Sequence, residues 1–117
     1  MKRILVAEDN DSNYLLMTFI LKGRYEFFRA VNGQEAVDKA TVEHPDLILM
    51  DLKMPQMDGL AATKQIKALL PNMPIIALTA NAFDSDRQLA MDAGCDAFLS
   101  KPVSASDCIQ IIDKILN

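Results

Sequence analysis

Four apolar residues, Leu47-Ile48-Leu49-Met50, stand between Asp46 and Asp51, and Pro55 and Asp58-Gly59 turn the chain soon afterwards. A continuous apolar run this short, bounded by turn signals, reads as a strand buried on both faces. A strand of that kind needs cover on both sides, which in one chain means helices flanking a parallel sheet. Asp51 closes the run and therefore stands at the strand's carboxyl end, where open α/β sheets bind ligands. The alternative is that Asp51 merely caps the loop after it.

The rest of the chain repeats the pattern. Residues 4–7 form an apolar strand ending at Glu8-Asp9, and Asn10, Asp11, Ser12 and Asn13 offer capping oxygens to a first helix. Leu15, Leu16, Phe19 and Ile20 are predicted to share its inward face, and Gly23 to end it. A second strand is predicted over 25–31, with Asn32-Gly33 turning out of it into a helix whose inward residues are Ala36, Val37 and Ala40. After Asp58-Gly59 a third helix carries Leu60, Thr63, Ile66, Leu69 and Leu70, and Pro71 to Pro74 break it. Residues 74–79 are a fourth strand and 83–93 a fourth helix, which Gly94 closes as a left-handed cap. Residues 97–100 are a fifth strand. Ser104 with Asp107 opens a last helix in capping-box fashion, its inward face Ile109, Ile112, Ile115 and Leu116. Five strands alternating with five helices give one α/β domain over 1–117, with right-handed crossovers and helices on both faces. No repeat or linker interrupts it.

Composition narrows the partners. Half of the 117 residues are hydrophobic and 24% are charged, which describes a globular chain. A net charge of −4 and a pI of about 4.8 argue against direct contact with nucleic acid. No apolar run approaches a membrane span, and the opening Met1 to Glu8 is too short and too soon acidic for a signal peptide, so a cytoplasmic location is expected. Cys95 and Cys108 lack metal-ligand spacing and read as reduced packing residues. His44, beside Pro45, reads as solvated loop.

The chemistry lies at the carboxyl ends of the strands. Strand one delivers Glu8 and Asp9, strand three Asp51, strand four Thr79 and strand five Lys101. If strands one and three are neighbours, the three carboxylates converge in one cleft beside a hydroxyl and an ammonium. Two like charges ~5 Å apart at an effective dielectric of ~20 repel by roughly 3 kcal/mol. A purely structural role would not need that cost. A hard divalent cation would remove it, and oxygen-only ligands suit Mg²⁺. Mg²⁺ and a lysine around a carboxylate suit phosphoryl transfer to a carboxylate nucleophile. Asp51, central in the set, is the candidate nucleophile, and Glu8 and Asp9 the candidate metal holders.

The motifs ILVAEDN (residues 4–10), DLILMDLKMPQMDG (46–59), IALTA (76–80) and AFLSKP (97–102) resemble the receiver domain of two-component response regulators, over the whole chain and in the family's order. The resemblance implies a flavodoxin-like sheet of order 2-1-3-4-5. It implies that Asp51 accepts a phosphoryl group and that Glu8, Asp9, Asp51 and the backbone carbonyl of Lys53 bind Mg²⁺. It further implies that Thr79 is the switch hydroxyl, Phe98 the switch aromatic and Lys101 the phosphate-binding lysine, and that Lys101-Pro102 is a cis bond. Glu8 stands where many members have aspartate, which keeps a carboxylate. Phe98 stands where many have tyrosine, so its signal must be read by shape; its alternative is a plain core phenylalanine. Glu8-Asp9-Asn10 with Asn13, and Thr79-Ala80-Asn81-Ala82, look most like receivers of hybrid histidine kinases. Whether the domain stands alone or is part of such a kinase stays open.

A domain resembling this family is expected to be a phospho-accepting switch and not an enzyme, though it catalyses its own phosphorylation and dephosphorylation. Its implied donor is a histidine kinase or histidine phosphotransfer protein. Its implied output is the face of the fourth helix, fifth strand and fifth helix, through which a homodimer is one expectation. Lys53 and Asn81 flank the path of the hydrolytic water and are expected to set the lifetime of the phosphoform. A flavin carrier of the same fold would want Ser, Thr and Gly after strand one, where Glu8-Asp9-Asn10-Asp11 would repel a phosphate. A dehalogenase-type phosphatase would want an acid at position 53. A degenerate receiver would have lost an acid or the lysine.

Overall fold

The computed structural model describes residues 1–80 and 84–117. Ten elements alternate: β1 (Arg3–Ala7), α1 (Asp11–Leu21), β2 (Glu26–Ala30), α2 (Gly33–Glu43), β3 (Leu47–Asp51), α3 (Gly59–Leu69), β4 (Ile75–Thr79), α4 (Asp84–Ala93), β5 (Ala97–Ser100) and α5 (Ala105–Leu116). The strands form one parallel sheet of order β2-β1-β3-β4-β5, as expected.

Because side chains alternate along a strand, each apolar run feeds two cores. Ile4, Val6, Leu47, Leu49, Ile76 and Leu78 face α1 and α5. Leu5, Ala7, Ile48, Met50, Ile75 and Ala77 face α2, α3 and α4, meeting Ala36, Ala40, Ala62, Ile66 and Ala90. Each fully buried Ile or Leu among them contributes roughly 1.5–3 kcal/mol. β3 is buried from Leu47 through Asp51, so the acid closing it is anchored by core on both sides.

Side-chain caps set where the helices begin. Asn10, Asn32, Asp58 and Ser104 accept the backbone N–H of Asn13, Glu35, Ala61 and Asp107, respectively. Gly33 and Gly59, the first residues of α2 and α3, are required by close approach. A Cβ on Gly33 would lie 2.0 Å from the Met57 carbonyl oxygen, and one on Gly59 2.2 Å from that of Asp51. Gly94 ends α4 at φ 111°. Lys101-Pro102 is cis.

The α1 face differs from expectation. Met17, Ile20 and Leu21 are buried, whereas Leu15, Leu16 and Phe19 are 56%, 41% and 69% exposed. Both sets have helical spacing, and periodicity cannot say which of two apolar stripes meets the sheet. The cap at Asn10 and packing against α5 select the second. Leu69 of α3 is also exposed, and α3 instead buries Ala62, Thr63 and Ile66. In α5 the fully buried positions are Cys108 and Ile112, with Ile109, Ile115 and Leu116 packed at the margin. β2 is shorter than the 25–31 expected, and the expected helix start at Phe83 lies outside the described residues. His44 is exposed and caps α2 at φ 47°. Cys95 and Cys108 are buried free thiols, and burial pushes the Cys108 thiol up to about 11.

Candidate functional site

Register brings the polar strand ends together. Ala7 pairs with Met50, so Glu8 and Asp51 come level where β1 and β3 end. Asp51 pairs with Leu78, and Thr79 with Ser100, so Thr79 and Lys101 stand on the next two strands. One ligand oxygen from each of Glu8, Asp9 and Asp51 can be chosen so that all lie within 4.8 Å of one another. Glu8 is 1% exposed and Asp51 5%, while Asp9 is open to solvent.

The Lys101 ammonium bridges the two buried acids, with Nζ 2.9 Å from Glu8 Oε1 and 3.2 Å from Asp51 Oδ2. The other Glu8 oxygen, Oε2, accepts the Asn10 N–H at 3.3 Å, and Asp51 Oδ1 accepts that of Lys53 at 3.2 Å. Burial, reinforced by the hydrogen bond with Asp51, pushes Glu8 up to about 7 against the opposing pull of Lys101. Burial alone would lower Lys101, but the Glu8 and Asp51 carboxylates outweigh it and hold the ammonium above its ordinary value. The arrangement is a set of carboxylates short of cations. All its donors are oxygens, a set that suits a hard divalent cation such as Mg²⁺.

Asp51 is itself nearly buried, but its chain neighbours Leu52 and Lys53 face an open space. This cleft of about 570 Å³ is also walled by Asp9, Met54, Asp58, Asp86 and Leu89. Lys53 is exposed on its rim. Asn81, expected on the other side, lies outside the described residues.

Thr79 is 3% exposed, and its Oγ1 donates to Asp86 Oδ2 of α4 at 3.3 Å. Phe98 is half-buried against the core on the α2–α4 side, with the Arg87 guanidinium 5.3 Å from the ring centre. Asp86 was not evident from sequence. An acid in a helix's first turn is explained by the helix dipole alone, and nothing in its spacing announces a bond to Thr79.

The chain as a whole is similar to known proteins. A family profile described as the response regulator receiver domain matches residues 4–113. The polar-differentiation response regulator DivK of Brucella ovis is 39% identical over 118 residues, covering 98% of this chain and 96% of that one. The receiver domain of sensor histidine kinase PA1611 from Pseudomonas aeruginosa PAO1, solved with a magnesium ion coordinated in its active site cleft, superposes with a TM-score of 0.92 at 35% identity, covering 98% of this chain and 97% of that one. Chemotaxis protein CheY4 of Vibrio cholerae superposes with a TM-score of 0.92 at 26% identity, covering 99% of each chain. A profile match over nearly the whole length, together with relatives that share both fold and sequence, places this chain in the receiver domain family of two-component response regulators.

Proposed function

We propose that this receiver, spanning residues 1–117, takes a phosphoryl group on Asp51 from the phosphohistidine of a histidine kinase or histidine phosphotransfer protein. The observation that carries the reading is the buried Asp51 carboxylate, bridged to Glu8 by Lys101 and converging with Glu8 and Asp9. Glu8, Asp9, Asp51 and the Lys53 carbonyl would hold Mg²⁺, which supplies charge neutralisation for the transferring phosphoryl oxygens. An Asp51 oxygen attacks phosphorus in line as the bond to the histidine nitrogen breaks, and the imidazole leaves with the bonding pair. Lys101 needs only to shift from the Asp51 oxygen to a phosphoryl oxygen. The setting is the cytoplasm, where such donors act. The test is intact mass after incubation with acetyl phosphate. One phosphoryl group should be gained with Mg²⁺ and none with excess EDTA; equal gain in both would remove the metal from the scheme.

The switch reading concerns Thr79. The new phosphoryl group brings nearly two charges and strong acceptors. To donate to it, the Thr79 hydroxyl must leave Asp86, which frees the first turn of α4, and Phe98 then fills the space behind it. The α4–β5–α5 face thereby gains two arrangements whose balance phosphorylation shifts. Thr79→Ala should still be phosphorylated but lose most of the amide shift changes around α4. A wild-type response in that variant would show that the hydroxyl does not couple the two.

Lifetime is assigned to the rim. Lys53 could lie over the phosphoryl group and occupy the approach of the hydrolytic water, and neither it nor Asn81 is an acid that could orient one. Lys53→Asn with Asn81→Glu should shorten the phosphoform's half-life in excess Mg²⁺ once the donor is removed. An unaltered decay would show that these side chains do not set the clock.

A further inference from the structure

Residues 8–10, which join β1 to α1, have no helix or strand of their own, yet they must present two acids accurately. The backbone ladder between β1 and β2 makes its last contact here, where the Glu8 N–H donates to the Ala30 carbonyl at 2.9 Å. Beyond that rung a side chain takes over. Arg29 of β2 donates from Nε to the Glu8 carbonyl oxygen at 3.0 Å. Its Nη1 lies 2.9 Å from Asp11 Oδ1, at the start of α1. Its guanidinium carbon stacks over the Tyr14 ring, 4.6 Å from the centre. One planar group thus grips the residue before Asp9 and two residues after it. Its remaining nitrogen, Nη2, is buried without a hydrogen-bond partner among the described residues. An orphaned buried donor costs about 1–3 kcal/mol, so this guanidinium is held in place by its other contacts and not by full hydrogen-bond satisfaction.

We propose that Arg29 is a positioning residue for the divalent-cation site. It fixes the peptide plane between Glu8 and Asp9, and so the stance of the Asp9 carboxylate, before any cation arrives. The inference rests on the reading of Glu8, Asp9 and Asp51 as the Mg²⁺ site. The chemistry needs arginine's fork. A lysine could reach the Glu8 carbonyl or Asp11 with similar charge, but it could not hold both in one plane while stacking on Tyr14.

The charge alone makes the opposite prediction, which allows a test. Arg29→Gln leaves Asp11 unpaired and the neighbourhood more negative, so a residue acting only through its field should bind Mg²⁺ more tightly once removed. A positioning residue should bind it less tightly, and groups that orient metal ligands are typically worth 10–100-fold in affinity. The experiment is calorimetric titration of the full chain with MgCl₂ at fixed ionic strength, for wild type, Arg29→Gln and Arg29→Lys, with melting curves of each in EDTA. The expected result is an Mg²⁺ dissociation constant raised about tenfold in both variants. It should be accompanied by faster amide hydrogen exchange at Asp9 and Asn10 in metal-free Arg29→Lys, the milder substitution. A wild-type constant in Arg29→Lys, or tighter binding in Arg29→Gln, would overturn the proposal in favour of charge. Lower melting temperatures with an unchanged constant would overturn it in favour of a structural pin. A wild-type chain that does not bind Mg²⁺ would overturn the site reading itself and the clamp with it.

Discussion

Replacing Asp51 with asparagine is expected to reduce phosphoryl acceptance to background, while the chain still folds. An amide matches the carboxylate in shape, but its oxygen is uncharged and a far weaker nucleophile, and one of the three convergent charges is lost. Wild type with Mg²⁺ and a beryllofluoride phosphate mimic should melt well above its metal-free form, because a ligand that binds only the folded state stabilises by mass action. At a hundredfold excess over its dissociation constant that amounts to about 2.7 kcal/mol, or on the order of 10 °C for a domain of this size. Asp51→Asn should show none of this gain. In EDTA the same variant should be no less stable than wild type, since relief from Glu8 and Asp9 offsets the lost Lys101 contact at 3.2 Å. A mimic-induced rise in the variant equal to that of wild type would show that another group is the acceptor.

Lys101→Ala should have the next largest effect, on both chemistry and stability. Losing a preorganised cation at developing charge slows a transfer step on the order of 10²-fold. The stability effect depends on pH, and its sign can be worked out. Glu8 has a folded-state value of about 7 against an ordinary 4.5. Below pH 4.5 its carboxyl is protonated both folded and unfolded, and the associated stability is fully present. As pH rises from there through about 7, the unfolded chain releases the proton more readily, and that stability is lost. Metal-free wild type should therefore weaken across this window. Without Lys101, which opposes the upward shift, the loss should be deeper and extend to higher pH. Breaking a buried ion pair by removing one partner costs about 3 kcal/mol, an upper figure here because Glu8 can protonate instead. Urea midpoints of both proteins in EDTA at pH 4.5 and pH 8 would measure it. A constant difference between them would detach Lys101 from Glu8.

The sheet was legible because parallel strands buried on both faces leave nearly unbroken apolar runs, and Leu47 to Met50 has little else to be. The site's position was legible for a related reason. Glu8, Asp51, Thr79 and Lys101 are the polar residues that terminate such runs, so the register that aligns the strands also gathers their ends. What escaped depended on side chains crossing between elements. Leu15, Leu16 and Phe19 have helical spacing as good as that of Met17, Ile20 and Leu21, and only the tertiary fit decides between them. Asp86 and Arg29 resemble ordinary surface charges in the sequence, and their contacts with Thr79 and with the Glu8 carbonyl exist only once α4 and β2 are in place. Phe98 sits against the core with Arg87 beside its ring, a resting position that both of its expected roles share.

The two glycines that open α2 and α3 bear on how this domain can be altered. The segment between β3 and α3 is held at Met57 by Gly33 and at the Asp51 backbone by Gly59, in both places by a missing atom. Its path is therefore set by these close approaches together with the buried side chains of Leu52 and Met54 and the Asp58 cap. The exposed side chain of Lys53, which takes no part in that anchoring, can be exchanged while the main chain stays where it is. Substitutions at position 53 therefore test the proposed lifetime role without displacing the backbone. A single methyl added at 33 or 59 would move the whole segment, and with it the Lys53 carbonyl proposed to hold the cation.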